Sequence, residues 1–164
     1  MIEAYPNVPK RQWEILANGL VAPHTGATAE TALATVVVPA NAMGPSGLLR
    51  ITTMWSNNNN GNNKTGRVRL GGSSATTGTI YQETTQTTQV FFMDNPRIIL
   101  NLNNAASQKG RGTTTTGAGG SGNAVVTSSI DTTAAFNLMF TGQLANSADN
   151  IELAAYLVEL LYGP

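Results

Sequence analysis

The sequence contains no cysteine and few charged residues. Charged side chains make up 11% of the 164 residues, against about 25% in ordinary globular proteins. The absence of cysteine excludes disulfides, thiolate metal ligands and a cysteine nucleophile. The net charge is zero, from 9 basic and 9 acidic residues. This balance excludes the strongly basic surface typical of nucleic-acid-binding proteins, so we expect no nucleic-acid partner.

Long apolar runs are also missing. No segment approaches the roughly 18 consecutive apolar residues of a membrane-spanning helix, and the N-terminal sequence lacks the apolar core of a signal peptide. We therefore expect no membrane partner, and synthesis in the cytoplasm. Hydrophobic residues still make up 41% of the chain, and their regular alternation argues against disorder.

Residues suited to catalysis or metal binding are few and scattered. The one histidine, His24, lies in Pro-His-Thr-Gly, which predicts a surface turn, and no nucleophile elbow accompanies it. Nothing marks a facing carboxylate pair such as Glu83 and Asp131 as a glycosidase site, and no Asp-x-Asp-x-Asp-Gly calcium loop occurs. Asp149 beside Asn150 is typical of turns. We expect no catalytic residue, cofactor or metal site, and no enzymatic activity.

The pattern that is present has a period of two. In residues 48–56, Leu49, Ile51, Thr53 and Trp55 alternate with Arg50, Thr52, Met54 and Ser56, which predicts a strand with one buried face. Core packing is therefore favoured for Trp55 over sugar stacking. The amide-rich segment 57–63 follows, with an Asn60-Gly61 pair suited to positive φ, and a second alternating run comes next. The pattern predicts a β-hairpin.

Ten segments have strand character and are separated by turn signals. Short strands at spacings of about 8–12 residues, without a sustained helical period, predict a sandwich or barrel. A second long loop, residues 107–123, is rich in glycine and threonine and is predicted to lack regular structure. The predicted strands are Glu14–Ala17, Ala32–Val38, Leu48–Ser56, Gly66–Leu70, Ile80–Thr85, Val90–Met93, Ile98–Asn103, Ala124–Ser129, Phe136–Gly142 and Ile151–Leu161.

Three arginines lie in the first two long strands. If the predicted hairpin pairs in register, Arg50, Arg67 and Arg69 lie near one another. They could bind an acidic partner or a sialylated glycan. A solvated sheet face, or pairing with carboxylates of a neighbouring subunit, is the favoured interpretation.

The N-terminal segment, residues 1–13, is predicted to be an extended arm, and residues 14–164 a single domain. Pro6 and Pro9 remove backbone donors and favour extended conformations. Tyr5 and Trp13 flank them and are suited to docking on a neighbour, whereas a terminus without fixed structure is the alternative. Tyr5, Pro6, Pro9 and Trp13 are therefore the candidate attachment residues.

The last predicted strand is apolar on both faces. A helix is the alternative, since Ala, Leu and Glu are good helix formers, but the alternation of Ile151 and Leu153 with Glu152 favours a strand. A strand of this kind needs cover on its second face, and another subunit would supply it most simply. The candidate oligomer-interface residues are Tyr156, Val158, Leu160 and Leu161.

Three parts of the sequence carry a resemblance to a known class of proteins. Residues 28–56 (beginning Thr-Ala-Glu-Thr-Ala-Leu and ending Leu-Leu-Arg-Ile-Thr-Thr-Met-Trp-Ser), residues 62–72 (Asn-Asn-Lys-Thr-Gly-Arg-Val-Arg-Leu-Gly-Gly) and the segments within 130–153 resemble jelly-roll structural proteins of tailed bacteriophage virions. The similarity spans about residues 28–161 and rests on the general sequence pattern of the strands and loops. It implies an all-β fold: a two-sheet antiparallel jelly-roll sandwich with a short extended N-terminal arm.

The resemblance also implies a role in the virion. We expect a capsid decoration or cement protein, a homotrimer on the outer surface of the phage head that docks on the major capsid protein and stabilises the lattice. The alternative is a tail or fibre receptor-binding module that recognises a host surface glycan through loops 57–63 and 107–123. A carbohydrate-binding module or hydrolase unrelated to phage is a third possibility. The resemblance supplies no catalytic residue.

Overall fold

The computed structural model describes residues 13–88, 90–93, 96–111 and 125–163. These ranges contain twelve β-strands, and no helix that could span a membrane occurs in them. The strands are β1 (Trp13–Gly19), β2 (His24–Thr25), β3 (Thr31–Val38), β4 (Leu48–Asn57), β5 (Lys64–Leu70), β6 (Thr79–Gln86), β7 (Phe91–Met93), β8 (Arg97–Asn101), β9 (Gln108–Arg111), β10 (Val125–Ser128), β11 (Phe136–Leu144) and β12 (Asn150–Leu161).

The strands form two antiparallel sheets. The large sheet has the order β1-β12-β4-β8-β9-β10, with β2 paired to β12 and β7 paired to β4. The small sheet has the order β3-β11-β5-β6. Four strands of the large sheet, β1-β12-β4-β8, and the four of the small sheet together have the strand order of a jelly roll, in which two Greek keys close a sandwich. The predicted fold class is confirmed.

The core lies between the sheets and follows the predicted alternation of β4. Leu49, Ile51, Thr53 and Trp55 are fully buried, while the residues between them are only partly covered. Core packing of Trp55 is thus confirmed. Residues on the inner face of the small sheet, including Val68, Leu70, Leu138 and Phe140, complete the core.

The predicted hairpin between β4 and β5 is wrong. β4 pairs with β12, β8 and β7 in the large sheet, and β5 pairs with β11 and β6 in the small one. The intervening segment therefore crosses from one sheet to the other at one end of the sandwich. Gly61 does adopt the expected positive φ, 80°. Local alternation and a turn signal define two strands but not the sheet to which each belongs.

The interface predicted on the last strand is also largely incorrect. Val158 and Leu160 are buried inside the protomer, because β12 lies between β1 and β4 and faces the small sheet. The ring of Tyr156 packs against Phe140, with centroids 4.7 Å apart. The second sheet of the same chain, and not a second subunit, covers these three side chains. Leu161 lies on the opposite face of the strand.

The segment predicted to be an unstructured loop, residues 107–123, begins with a strand. Gln108–Arg111 forms β9, which pairs with β8 and β10 and extends the large sheet. Gly110 lies so close to Tyr81 that a Cβ there would stand 2.7 Å from the ring. The rest of that predicted loop, from residue 112, lies outside the described residues.

Of the predicted N-terminal arm, only Trp13 lies within the described residues, where it is the first residue of β1. Trp13 pairs with Leu161 of β12, so the sheet begins one residue before the predicted domain boundary. Tyr5, Pro6 and Pro9 lie outside the described residues.

Candidate interaction surface

The outward side of the large sheet carries a set of apolar side chains on neighbouring strands. They alternate with the buried residues of β1, β4, β7, β8 and β12, and we call them the outer apolar face: Trp13, Ile15, Leu48, Met54, Phe91, Met93, Ile98, Leu100, Leu157 and Leu161.

Register brings these residues together across strands. One row consists of Trp13, Leu161, Leu48 and Leu100, which are cross-strand neighbours on four adjacent strands. Cross-strand neighbours on one face lie about 5 Å apart, close enough for their side chains to touch. The row is apolar from one strand to the next.

Five members of the outer apolar face are substantially exposed. Trp13 is 40%, Ile98 45%, Phe91 53%, Ile15 60% and Met93 64% exposed. Single exposed apolar residues are normal on protein surfaces. Large contiguous apolar patches are rare on the surfaces of monomeric proteins and are typical of binding surfaces.

One ion pair interrupts the outer apolar face. Arg50 Nε and Nη2 donate to Glu159 Oε2 and Oε1 at 2.6 and 2.5 Å, and the Arg50 guanidinium lies 4.3 Å from the centroid of the Trp13 ring. The hydrogen bonds from Arg50 hold the pKa of the Glu159 carboxyl below its usual value. Both charges are paired within the protomer, so they do not require a partner.

The outward side of the small sheet differs, because a polar network within the chain covers it. Glu30, just before β3, accepts from Arg69 Nε and Nη2 at 2.8 Å each and from the Thr141 hydroxyl at 2.5 Å. Arg67 lies 3.2 Å from Glu30 and also donates to Glu83 at 2.5 Å. Both arginines thus have carboxylate partners in the same chain.

Burial alone would raise the pKa of Glu30. The hydrogen bonds from Arg69 and Thr141 and the charges of Arg67 and Arg69 outweigh it, and the pKa lies below the ordinary value of 4.5. The predicted grouping of the three arginines is half correct: Arg67 and Arg69 share Glu30, but Arg50 belongs to the other sheet. The carboxylate partners belong to the same subunit, whereas a solvated sheet face or carboxylates of a neighbouring subunit were expected.

A second polar cluster lies at the end of the sandwich where β4 crosses to β5. Asp149, just before β12, accepts from the side-chain amides of Asn58 at 3.2 Å, Asn62 at 3.4 Å and Asn60. Lys64 Nζ donates to Asn60 Oδ1 and, at 3.3 Å, to the carbonyl oxygen of Thr87. Three of the amides of segment 57–63, those of Asn58, Asn60 and Asn62, thus contact Asp149.

Asp149 and Lys64 are almost completely buried, at 1% and 0% exposure. Burial would raise the pKa of Asp149, but the bonds from the three asparagines and the charge of Lys64 outweigh it and lower the pKa. The other carboxylate oxygen, Oδ2, is buried and has no hydrogen-bond partner among the described residues. Asp149 is therefore the centre of the cluster and not the ordinary turn residue that the sequence predicts.

The other candidate chemical groups are engaged separately. His24 is a half-buried strand residue paired with Ile151, where a surface turn was expected. Glu83 bonds to Arg67, and Asp131 caps a turn by accepting from the backbone N–H of Thr133 at 2.9 Å. Within the part of the chain that the structure describes, no group of three or more His, Cys, Asp or Glu side chains is placed to hold a metal ion.

Sequence reasoning missed the outer apolar face as a unit. Its alternation on β4 and β12 was visible, but the contributions of Phe91, Met93 and Ile98 depend on the pairing of β7 and β8 with β4. The signal available in the sequence was an apolar residue directly beside a buried one in a short strand. Adjacent residues of a strand point to opposite faces of the sheet, so such a residue lies on the outer face. The strand order must be known before these residues can be placed side by side on one surface.

No family model matches the sequence, and no curated protein matches it. Among solved structures, the CBM2 module of the evolved Dit of Lactobacillus casei BL23 phage J-1 aligns with 90% of this chain and 79% of that one, at 12% identity and a TM-score of 0.40. A chain of the infectious bursal disease virus Gx strain aligns with 99% of this chain at 10% identity and a TM-score of 0.36, and the aligned region spans 37% of the viral chain. At these values neither comparison carries an argument about function.

Proposed function

We propose that this chain is a structural protein of a tailed-phage virion, a decoration or cement protein that forms an oligomer on the head and reinforces it. The observation that carries the proposal is the outer apolar face. The jelly-roll strand order and the resemblance of residues 28–161 to phage structural proteins support it. Fold alone does not determine function, so the surface has the greater weight.

The partner on the outer apolar face is a further copy of the same chain. Burying apolar surface stabilises association by about 25 cal/mol per Å² before the costs of binding. Arg50 and Glu159 on the face are paired with each other within the protomer, so a partner that covers this pair buries no unpaired charge at it. A net charge of zero also leaves little long-range repulsion between copies. The trimer is the order that the resemblance implies.

Attachment to the major capsid protein is assigned to the N-terminal segment, residues 1–13. The described chain begins at Trp13, on the edge strand β1, so each subunit of an oligomer would present one such segment. Several weak contacts on one oligomer multiply through effective concentration. The surface rich in Thr, Asn and Gly, with few charges, suits repeated contacts of this kind.

The oligomer is tested by light scattering after size-exclusion chromatography. We expect the wild type to be a trimer and Ile98→Lys combined with Met93→Lys to shift the protein to a monomer with an unchanged circular dichroism spectrum. Val37→Lys is the matched control, because Val37 is 59% exposed on the small sheet. A monomeric wild type at micromolar concentration would overturn the oligomer.

The location in the virion is tested by gold-labelled antibodies on intact particles of the parent phage. Label over the whole head is the expected result. Label confined to the tail tip, with binding to host cells that soluble sugar blocks, would replace the proposal with the receptor-binding alternative. The end loops, including 57–63, would then be the candidate glycan contacts.

A further inference from the structure

An amine, an amide and a carboxylate lie in line at the end of the sandwich where β4 crosses to β5. Lys64 Nζ, at the first residue of β5, contacts the amide oxygen of Asn60. The amide nitrogen of Asn60 contacts Asp149 Oδ1. The amine therefore lies beside the carbonyl group, and the carboxylate lies beside the nitrogen of the same amide.

Lys64 is the only fully buried lysine among the described residues. Its two hydrogen-bond acceptors, Asn60 Oδ1 and the Thr87 carbonyl oxygen, are uncharged. Burying an ammonium group without a directly bonded carboxylate is costly. A lysine excluded from water is also the kind that proteins use as a nucleophile. These facts call for a role of Lys64 other than a surface charge.

Only one of the asparagines around Asp149 has both contacts. Asn58 and Asn62 also bond to Asp149 Oδ1, at 3.2 and 3.4 Å. Neither has a hydrogen bond to Lys64 among those of the described residues, whereas Asn60 does. The geometry therefore selects Asn60 among the three amides that contact Asp149.

We propose that Lys64 and Asn60 form an intramolecular isopeptide bond, with Asp149 as the catalytic carboxylate. The Lys64 ammonium first loses one proton, and the neutral Nζ then attacks Cγ of Asn60; the Nζ–Cγ bond forms and the Cγ–Nδ2 bond breaks. Two protons move from Nζ to the departing nitrogen. Asp149 Oδ1, in contact with Nδ2, accepts a proton from the amine and returns it to the leaving group.

The step balances without a co-reactant. A lysine ammonium and a neutral amide become a neutral secondary amide and an ammonium ion, so no oxidant, reductant or metal is needed. The product also removes the buried positive charge of Lys64, which leaves as ammonium. The bond closes the 60–64 segment covalently where the chain passes from one sheet to the other. This inference does not rest on the proposed function.

Mass spectrometry of the intact, denatured protein tests the bond. The wild type is expected to be lighter than its sequence mass by one ammonia molecule, and trypsin is expected not to cleave after Lys64. Lys64→Met, Asn60→Ala and Asp149→Asn should each restore the full sequence mass. Asn59→Ala, at an exposed asparagine of the same segment, is the control and should keep the ammonia loss. A wild-type protein of full mass overturns the proposal, whatever the variants do.

A cyclic imide at Asn60-Gly61 also loses ammonia and must be told apart. Imide formation uses the backbone nitrogen of Gly61, so it would persist in Lys64→Met, and it would leave Lys64 open to trypsin. Tandem mass spectrometry of the peptide spanning residues 60–64 distinguishes the two products. An ammonia loss that survives in Lys64→Met would overturn the isopeptide bond.

Discussion

Gly66 lies against the indole of Trp55, and this contact joins the two sheets. A Cβ atom at residue 66 would stand 2.8 Å from Cε2 and Cζ2 of the indole. Trp55 belongs to β4 of the large sheet, and Gly66 to β5 of the small sheet. The missing side chain at residue 66 makes room for the largest residue of the core.

Gly66→Ala is therefore expected to destabilise the protein. The methyl group must displace a fully buried ring, and overpacking of this kind typically costs about 1–3 kcal/mol. Urea unfolding followed by tryptophan fluorescence measures the change. Thr76→Ala, in an exposed turn, is the control and should leave the midpoint unchanged. An unaltered midpoint in Gly66→Ala would show that the sheets separate easily at this position.

Glu30→Gln is expected to lower the free energy of unfolding at neutral pH by about 3–5 kcal/mol, because it leaves a buried arginine without its carboxylate. Glu83→Gln is the control: Glu83 also bonds to Arg67, but its side chain is 40% exposed. We expect a distinctly smaller loss there. Equal losses in the two variants would contradict the assigned burial of the Glu30 network.

The same carboxylate predicts the pH dependence of stability. The pKa of Glu30 is lower in the folded protein than its ordinary value of 4.5. Its contribution is thus fully present above the unfolded pKa and is lost as the pH falls through the folded pKa. Urea midpoints measured from pH 7 downward should be flat at first and then fall below about pH 5. In Glu30→Gln this acid-dependent fall should be smaller.

Gln108→Ala is expected to destabilise the end of the large sheet. The buried Gln108 amide makes five hydrogen bonds, with Nε2 donating to Asn101, Ala105 and Ile130 and Oε1 accepting from Ser128 and Ile130. Leaving a buried polar partner unsatisfied costs about 1–3 kcal/mol. Thermal unfolding should show the loss, with half-buried Gln86→Ala as the comparison. A tolerated Gln108→Ala would mean that water replaces the amide.

Deletion of residues 1–12 is expected to leave the fold intact, because Pro6 and Pro9 lack the backbone donors that a core strand needs. The same deletion should weaken co-sedimentation with phage heads if the N-terminal segment attaches the oligomer to the capsid. Circular dichroism checks the first outcome and sedimentation the second. Undiminished capsid binding by the truncated protein would remove the attachment role from Tyr5, Pro6 and Pro9.

Most strands could be predicted from the sequence, because a period of two is a local property. All ten predicted segments overlap strands of the structure. Two strands of the structure, β2 and β9, were not predicted, and the reasons are local. β2 has only two residues. The inward positions of β9 are Gln108 and Gly110, which are residue types typical of polar surfaces and turns. Gln108 is buried through its hydrogen bonds, and Gly110 makes room for Tyr81.

Sheet membership and the candidate surface could not be predicted. In a jelly roll, neighbouring strands in sequence often cross between sheets, so the turn at Asn60-Gly61 resembled a hairpin turn that the fold does not use. The buried Asp149 looked like a turn residue because its partners, Asn58 and Asn62, are distant in sequence. Tyr156 was placed on the wrong side because β12 has a register shift between Leu153 and Ala155.

The strand order has a consequence for how the chain is made. β12 lies between β1 and β4, and β11 lies between β3 and β5, so two strands from late in the sequence are inserted between strands made much earlier. Until then β1 has none of its described sheet partners, and both sheets remain open. Pairings of such high contact order form slowly, because the chain loses conformational entropy when distant segments meet and the stabilising contacts form only afterwards. Nascent chains that lack β11 and β12 should therefore remain unfolded, and folding should begin only once both strands have been made.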